Sequence, residues 1–503
     1  MLKEKNKIRK NVITQMFKTS QRILNYGVAL TLLATLPFTV KAAAPDMTTT
    51  NLALIKDVYG NPFDRTASYN LGPTGLRGWI YHWGDGKRPW SPGIDGSQTD
   101  VKPYQVLVVS VGTNTPAAGV LQIDDVLLGV NTGSNNIPVP RFTNDTRRAI
   151  GTAIGAAEAG DGWMNFKIFR DGAKKDVSIR LNIRGKAYSI TAPYNCPKSR
   201  LILSNAVALL GAKDLNHSVD GLALLASGNT NYLPKIQTFA RSIRTGPVTG
   251  WTWGYAYNGV FLSEYYLKTG DTNVLPVLSG LMKLCALTDR YGSICHGPGS
   301  IPLDGSWNGV AGGYGPVNQV ALTANLAMVM GKKCLFAAGW PMDPAVEGAI
   351  TRGKNFFGWH VQKGEIQYGE HNPWGSASHG DNGKHGQAAV FSTMLGDQPE
   401  AAEYWTRMTL AGYLAREYGH TGQGFSYLWT GLGANMGGAN AMAAYVSTIR
   451  WHLDLSRRSD GSFAYDGAEQ FGPSRAADYW TPTSYYGYGP LAAYILTYAT
   501  PLK

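Results

Sequence analysis

The chain has 503 residues, with 46 Lys plus Arg against 34 Asp plus Glu and a formal charge of +12. At 44% apolar and 16% charged it has material for full-sized cores, which excludes a wholly disordered chain. Four cysteines at this length exclude a disulfide-built scaffold.

Residues 1–42 concentrate the charge: eight Lys or Arg and one Glu, leaving about +5 of the +12 for the rest. A basic start, the apolar run Tyr26–Val40 and the small residues Ala42-Ala43-Ala44 form the pattern of a secretory signal peptide. The run is shorter than the roughly 20 residues that cross a bilayer. The expectation is therefore export to the periplasm or beyond, with no stable membrane anchor after cleavage; an uncleaved anchor is the other reading. The remaining charge forms no clustered basic face, so no nucleic-acid partner is expected. Residues 43–69 are an N-terminal extension.

Residues 70–185 are expected to form a small β-rich domain. Gln105–Val111 and Val120–Asn131 are β-prone. A helix follows over 145–159 with Asp145 as N-cap, then strands Trp163–Phe169 and Lys175–Ile183 joined at Asp171-Gly172, a hairpin signal. The segment Ser110–Asn131 (SVGTNTPAAGVLQIDDVLLGVN) resembles a PDZ domain, apart from Asp124 where that family usually has Gly. The resemblance implies a carboxylate-binding loop at Gly75, Leu76, Arg77 and Gly78, where a protein C-terminal peptide would add as a strand. The Trp/Gly/Pro-rich insertion 79–104 is long enough to cover that groove, which leaves peptide binding and a purely structural clamp both open. No serine-protease or zinc-protease motif accompanies it.

After a linker at 186–198, the period changes to that of helices over 199–503. Helical stretches are expected at 199–211, 219–227, 231–243, 253–268, 273–290, 316–335, 344–361, 384–395, 399–418 and 435–457. Ser227-Gly228-Asn229-Thr230-Asn231-Tyr232-Leu233-Pro234 returns as Thr269-Gly270-Asp271-Thr272-Asn273-Val274-Leu275-Pro276, 42 residues on. Gly ends one helix, and Asn or Asp with Pro starts the next. Such a period means stacked helical hairpins. Long loops at 293–315, 364–383, 419–424 and 460–489 would gather at one mouth of a closed (α/α) toroid; an open solenoid is the alternative. The fold class expected is thus multidomain, a PDZ-like domain followed by an all-α toroid of helical hairpins.

This order, with the junction YSITAPYNCPKS (188–199), resembles an exported bacterial family of unknown function. The toroid is similar to those of glycoside hydrolases and polysaccharide lyases, and to those of terpenoid cyclases and prenyltransferases. No D-D-x-x-D or D-x-D-D motif supports the latter pair.

The loops carry the candidate chemistry. The cluster Tyr368–Gly386 holds Glu370, His371, Trp374, His379, Asp381, Asn382 and His385 among glycines. It is readable as an acid/base site, as a metal site at His379, Asp381 and His385, or as a hydrogen-bonded loop with Asp381 capping a helix. No cofactor is favoured, and the metal is the less favoured reading. Asp304, with His296, Trp307, Tyr314 and Asn318, forms a second group; His420, Tyr427 and Trp429 form a third. Glu264 is read as an interior helix residue. A Cys285–Cys295 disulfide is compatible with export; Cys196 and Cys334 are read as buried or mutually paired.

The expected function is an exported carbohydrate-active enzyme, a glycoside hydrolase or polysaccharide lyase. Asp304 or Asp381 would be the acid and Glu370 a partner, with His379, His385 and His420 as further acid/base candidates. Trp307, Tyr314, Asn318, His371, Trp374, Asn382, Tyr427 and Trp429 would hold the glycan. The alternative is a non-catalytic scaffold that binds peptide or glycan.

Overall fold

The β-prone runs pair into one antiparallel sheet. In the computed structural model, which describes residues 44–56, 62–65, 68–81, 102–133, 138–182, 187–246, 251–297, 316–369, 383–412, 422–465 and 489–500, it has the order β1 (Tyr69–Asn70), β2 (Leu76–Trp79), β3 (Val106–Val111), β4 (Val126–Thr132), β5 (Trp163–Arg170), β6 (Ala173–Arg180). The Asp171-Gly172 turn holds φ of 53° and 75°, the left-handed pair that suits a tight hairpin. It sets Arg170 opposite Ala173. Asp124, the departure from the PDZ pattern, also sits at positive φ, 73°; that backbone explains the expectation of Gly there. Asp125 beside it accepts from Arg170 Nε at 2.5 Å.

Alternation divides the sheet faces. Val106, Val108, Leu127, Phe166 and Ile168 pack against Ile150 and Ile154 of α1 (Thr146–Ala159), whose N-cap Asp145 accepts from Arg148 N at 3.1 Å. Leu107, Val109 and Leu128 on the other face pack against Ala44, Met47 and Ile55 of the N-terminal extension.

The helical part contains α2 (Pro197–Gly211), α3 (Ser218–Ala226), α4 (Leu233–Ser242), α5 (Thr252–Thr269), α6 (Leu275–Leu287), α7 (Asn318–Ala337), α8 (Pro344–Trp359), α9 (Lys384–Leu395), α10 (Pro399–Ala411), α11 (Gly422–Met436), α12 (Gly438–Ser456) and α13 (Pro490–Ala499). The short hairpin β7–β8 (Asp289–Arg290, Ser293–Ile294) lies between α6 and α7. The repeated turn has one geometry in both copies. Gly228 and Gly270 each hold φ of 70°. Asn229 and Asp271 then accept from the backbone N–H two residues on, and Pro opens the following helix.

The order of contacts decides where a site can form. α3 touches α5, α5 touches α7, α7 touches α9, α9 touches α11, α11 touches α13, and α13 touches α3. The intervening helices α2, α4, α6, α8, α10 and α12 pack against these six. α7 is long and apolar enough to cross a membrane, but it lies mostly buried inside this protein.

Two helices differ from the expected set. α11 and α13 fall where glycine-rich loop was expected or nothing was read. In α11 the glycines are packing devices. A Cβ on Gly433 would come within 2.4 Å of Gly386 Cα, and one on Gly386 within 2.2 Å of Trp429 O. The backbones of α9 and α11 therefore touch, at the modest helix cost of Gly. The Cys285–Cys295 disulfide that export would permit is not formed, nor is a Cys196–Cys334 pair: Cys196, Cys285, Cys295 and Cys334 are all buried and unbridged. Cys285 lies among α6 core residues, where burial pushes its thiol up to about 12.

Ala44–Lys503 form one compact unit. α1 lies against α12 so closely that a Cβ on Gly151 would meet Trp451 O at 2.3 Å. Buried charges join the two parts. Arg457 donates to both oxygens of Glu158 at 3.0 and 2.6 Å and to Asp454 at 2.6 Å. Lys198 lies 3.0 Å from Glu158 and 3.1 Å from Asp454.

Candidate functional site

The N-terminal halves of α5 and α11, with His296 before α7, bring aromatic rings together. Trp251, the N-cap of α5, is 63% exposed. Its ring lies 5.6 Å from His296, and His296 accepts a hydrogen bond from Trp253 Nε1 at 2.8 Å. Trp253 lies 4.9 Å from Phe425, Phe425 lies 6.5 Å from Tyr257, and Tyr257 Oη accepts from Trp429 Nε1 at 3.0 Å. The rings form a wall that runs from an exposed rim to a buried floor. Trp251 is the aromatic ring of the wall that is open to a ligand with apolar faces, and the buried rings behind it fix its surroundings.

Titratable groups stand beside it. His217 is the N-cap of α3 and accepts from Val219 N at 3.3 Å. Its ring lies 6.2 Å from Tyr257, and burial pushes its pKa down to about 4. Asp220, in the first turn of α3, is pushed up to about 6 by burial, against the pull of Lys213 and the His217 backbone. Buried Tyr465 is raised well above its ordinary value, first by burial and then by the fields of Tyr257 and Asp220. The arrangement offers a carboxyl that gives up its proton only near pH 6, with a neutral imidazole at His217 and the neutral phenol of Tyr465. A carboxyl so tuned is suited to general-acid work.

Residues 199–503 match the family model described as a domain of unknown function, DUF6288. The chain belongs to the DUF6288 family. No curated protein and no solved structure matches it. The ring wall and Asp220 lie wholly within the DUF6288 region.

Many of the residues expected from the DUF6288 sequence to form a site fall outside the described residues: Asp304, Trp307, Tyr314, Glu370, His371, Trp374, His379, Asp381, Asn382 and His420. In the chain they stand on segments that precede α7, α9 and α11. Asn318 is buried and anchors one of those segments. It donates to Gln367 O at 2.9 Å and Gly369 O at 2.7 Å, and accepts from Ser293 Oγ at 2.7 Å. Its role is to position the chain that enters 370–382. Trp429 is the floor of the ring wall. Tyr427, on the same helix, stacks instead on His452 at 4.3 Å, in the packing of α11 against α12. Among the described residues no group of three His, Cys, Asp or Glu could hold a metal.

His385 is a core histidine. It is 2% exposed, stacks on Trp405 at 5.6 Å and accepts from Ile366 N at 3.4 Å. Burial, then the Lys384 cation, pushes its pKa down to about 3 from 6.5. The unfolded chain therefore takes up this proton first. The contribution to stability is complete above pH 6.5 and is lost as pH falls toward 3. Between pH 6.5 and 5 the expected loss is about 2 kcal/mol. His385→Gln should flatten that acid limb in urea unfolding measured across pH; an unchanged limb would show that His385 does not titrate as its burial requires.

Gly75, Leu76, Arg77 and Gly78 are all buried. Gly75 holds φ of 90°, and a Cβ there would meet Thr115 at 2.0 Å. Arg77 donates to Ser68 Oγ at 2.9 Å and Ser68 O at 2.7 Å. β2 is paired on both edges, by β1 and by β3. A peptide that adds at this strand has to displace β1.

His217, Asp220, Tyr257 and Tyr465 were not legible as a site. His-Ser-Val-Asp before an apolar run reads as a helix start, and that role is real. The contact of α13 with α3, and of Tyr465 with Tyr494 on α13, brings the distant C-terminal part of the chain to it.

Proposed function

We propose that this chain is an exported carbohydrate-active enzyme, a glycoside hydrolase or polysaccharide lyase, with an (α/α) toroid behind a PDZ-like accessory domain. The observation that carries the reading is Asp220, a carboxyl raised to about 6 by burial, which shares buried Tyr465 as a neighbour with Tyr257 of the aromatic wall. The cyclic order of contacts from α3 through α13 and back supports the toroid. Sugar rings present apolar faces that stack on Trp and Tyr, and a protonated carboxyl delivers a proton to the departing glycosidic oxygen. A second carboxylate, from Asp304, Glu370 or Asp381 on the preceding segments, would complete hydrolysis. Elimination from a uronate would instead use Asn382 or His379 at the uronate, with a Tyr or His of the preceding segments as the base. The signal-peptide pattern at 1–42 supports export. The scaffold alternative is the weaker one for a peptide partner, because β1 already occupies the edge of β2.

The test is incubation of the chain with neutral and acidic polysaccharides. New reducing ends are expected from hydrolysis, or an ultraviolet-absorbing unsaturated uronide from elimination. No product from any of them would overturn the enzyme.

A further inference from the structure

At the other ends of the same six helices lies a separate cavity of about 300 Å³. Each helix contributes to its wall: Leu225 from α3, Val260 from α5, Met330 from α7, Met394 from α9, Leu432 from α11 and Leu496 from α13. Tyr257 and Trp429 also line it, so their mutual hydrogen bond stands between this chamber and the aromatic wall on the side of the helix starts. The volume is at the small end of the roughly 300–1,000 Å³ of ligand pockets.

Two charged side chains of α5 lie at the chamber, Glu264 half-buried and Lys268 exposed one turn later. Neither makes a hydrogen bond or ion pair among the described residues. A carboxylate held half out of water beside Leu and Met is an incomplete arrangement, since a partly desolvated charge gains from a partner. Lys268, exposed, keeps its own hydration. Met side chains make the wall adaptable to chain shape.

We propose that this chamber binds a medium-length alkyl chain carrying a cationic amine head, with the chain among the Leu and Met residues and the head at Glu264. The proposal does not depend on what the aromatic wall binds. The test is calorimetric titration of the full chain with alkyltrimethylammonium ions of six, eight and ten carbons, and with decanoate, all below micelle formation. Each added methylene should tighten binding about fourfold, and decanoate should bind at least tenfold more weakly than its ammonium counterpart. Glu264→Gln should abolish that preference while the chain-length trend remains. Met330→Trp should fill the chamber and abolish binding, with polysaccharide cleavage and thermal unfolding unchanged. Affinity that is independent of chain length, decanoate bound as tightly as the ammonium ion, or binding indifferent to both substitutions would overturn it.

Discussion

Asp220→Asn should lower polysaccharide cleavage by about 10²–10⁴-fold, the range for removing one general acid. The amide keeps the size and the hydrogen-bonding edge of the carboxyl but has no proton to deliver. Glycan affinity should stay within a few-fold, because the exposed ring of Trp251 remains. The wild-type rate should fall as pH rises through about 6, where burial has placed the Asp220 pKa, and the residual rate of the variant should lose that limb. A variant that keeps full rate would remove Asp220 from the chemistry. One that loses binding and rate together would make it a positioning residue.

The second large effect concerns stability. Glu158, Lys198, Asp454 and Arg457 are all buried and form a neutral group of two cations and two anions. Burial opposes the Arg457 charge, yet Glu158 and Asp454 hold its pKa well above the ordinary value. Glu158 belongs to α1, while Lys198, Asp454 and Arg457 belong to the helical part or adjoin it. Glu158→Ala leaves two buried cations facing one anion and should cost about 3–5 kcal/mol, the usual penalty for breaking a buried pair. Glu158→Leu combined with Arg457→Met should cost less than the sum of the two single changes, since Lys198 and Asp454 still pair. Chemical unfolding of the four proteins gives the comparison. Additive losses would show that the charges act independently.

The sheet and the repeated helix turn were legible because each rests on local chemistry. Asp171-Gly172 dictates a hairpin whatever surrounds it, and Gly228 and Gly270 stop helices by backbone conformation. α11 was not legible because its glycines serve a neighbour. Gly433 is there for Gly386, and the sequence around it reads as loop. The buried charge group was hidden for a related reason: each member alone looks like an ordinary surface charge on a helix, and burial comes only from docking α1 on α12. Of the residues expected at the site, Trp429 stands in the ring wall, and most of the others lie outside the described residues. Glycine and histidine drew attention to 368–386. Within that stretch His385 is a packed core residue, while Asp220 looked like part of a helix start.

The most direct test of the central claim is a crystal structure of Asp220→Asn soaked with an oligosaccharide that the wild-type chain cleaves. The account predicts a saccharide against Trp251, with its glycosidic oxygen about 2.6–3.2 Å from the residue-220 side chain. A saccharide bound away from the starts of α3 and α5, or one with no contact at residue 220, would contradict it.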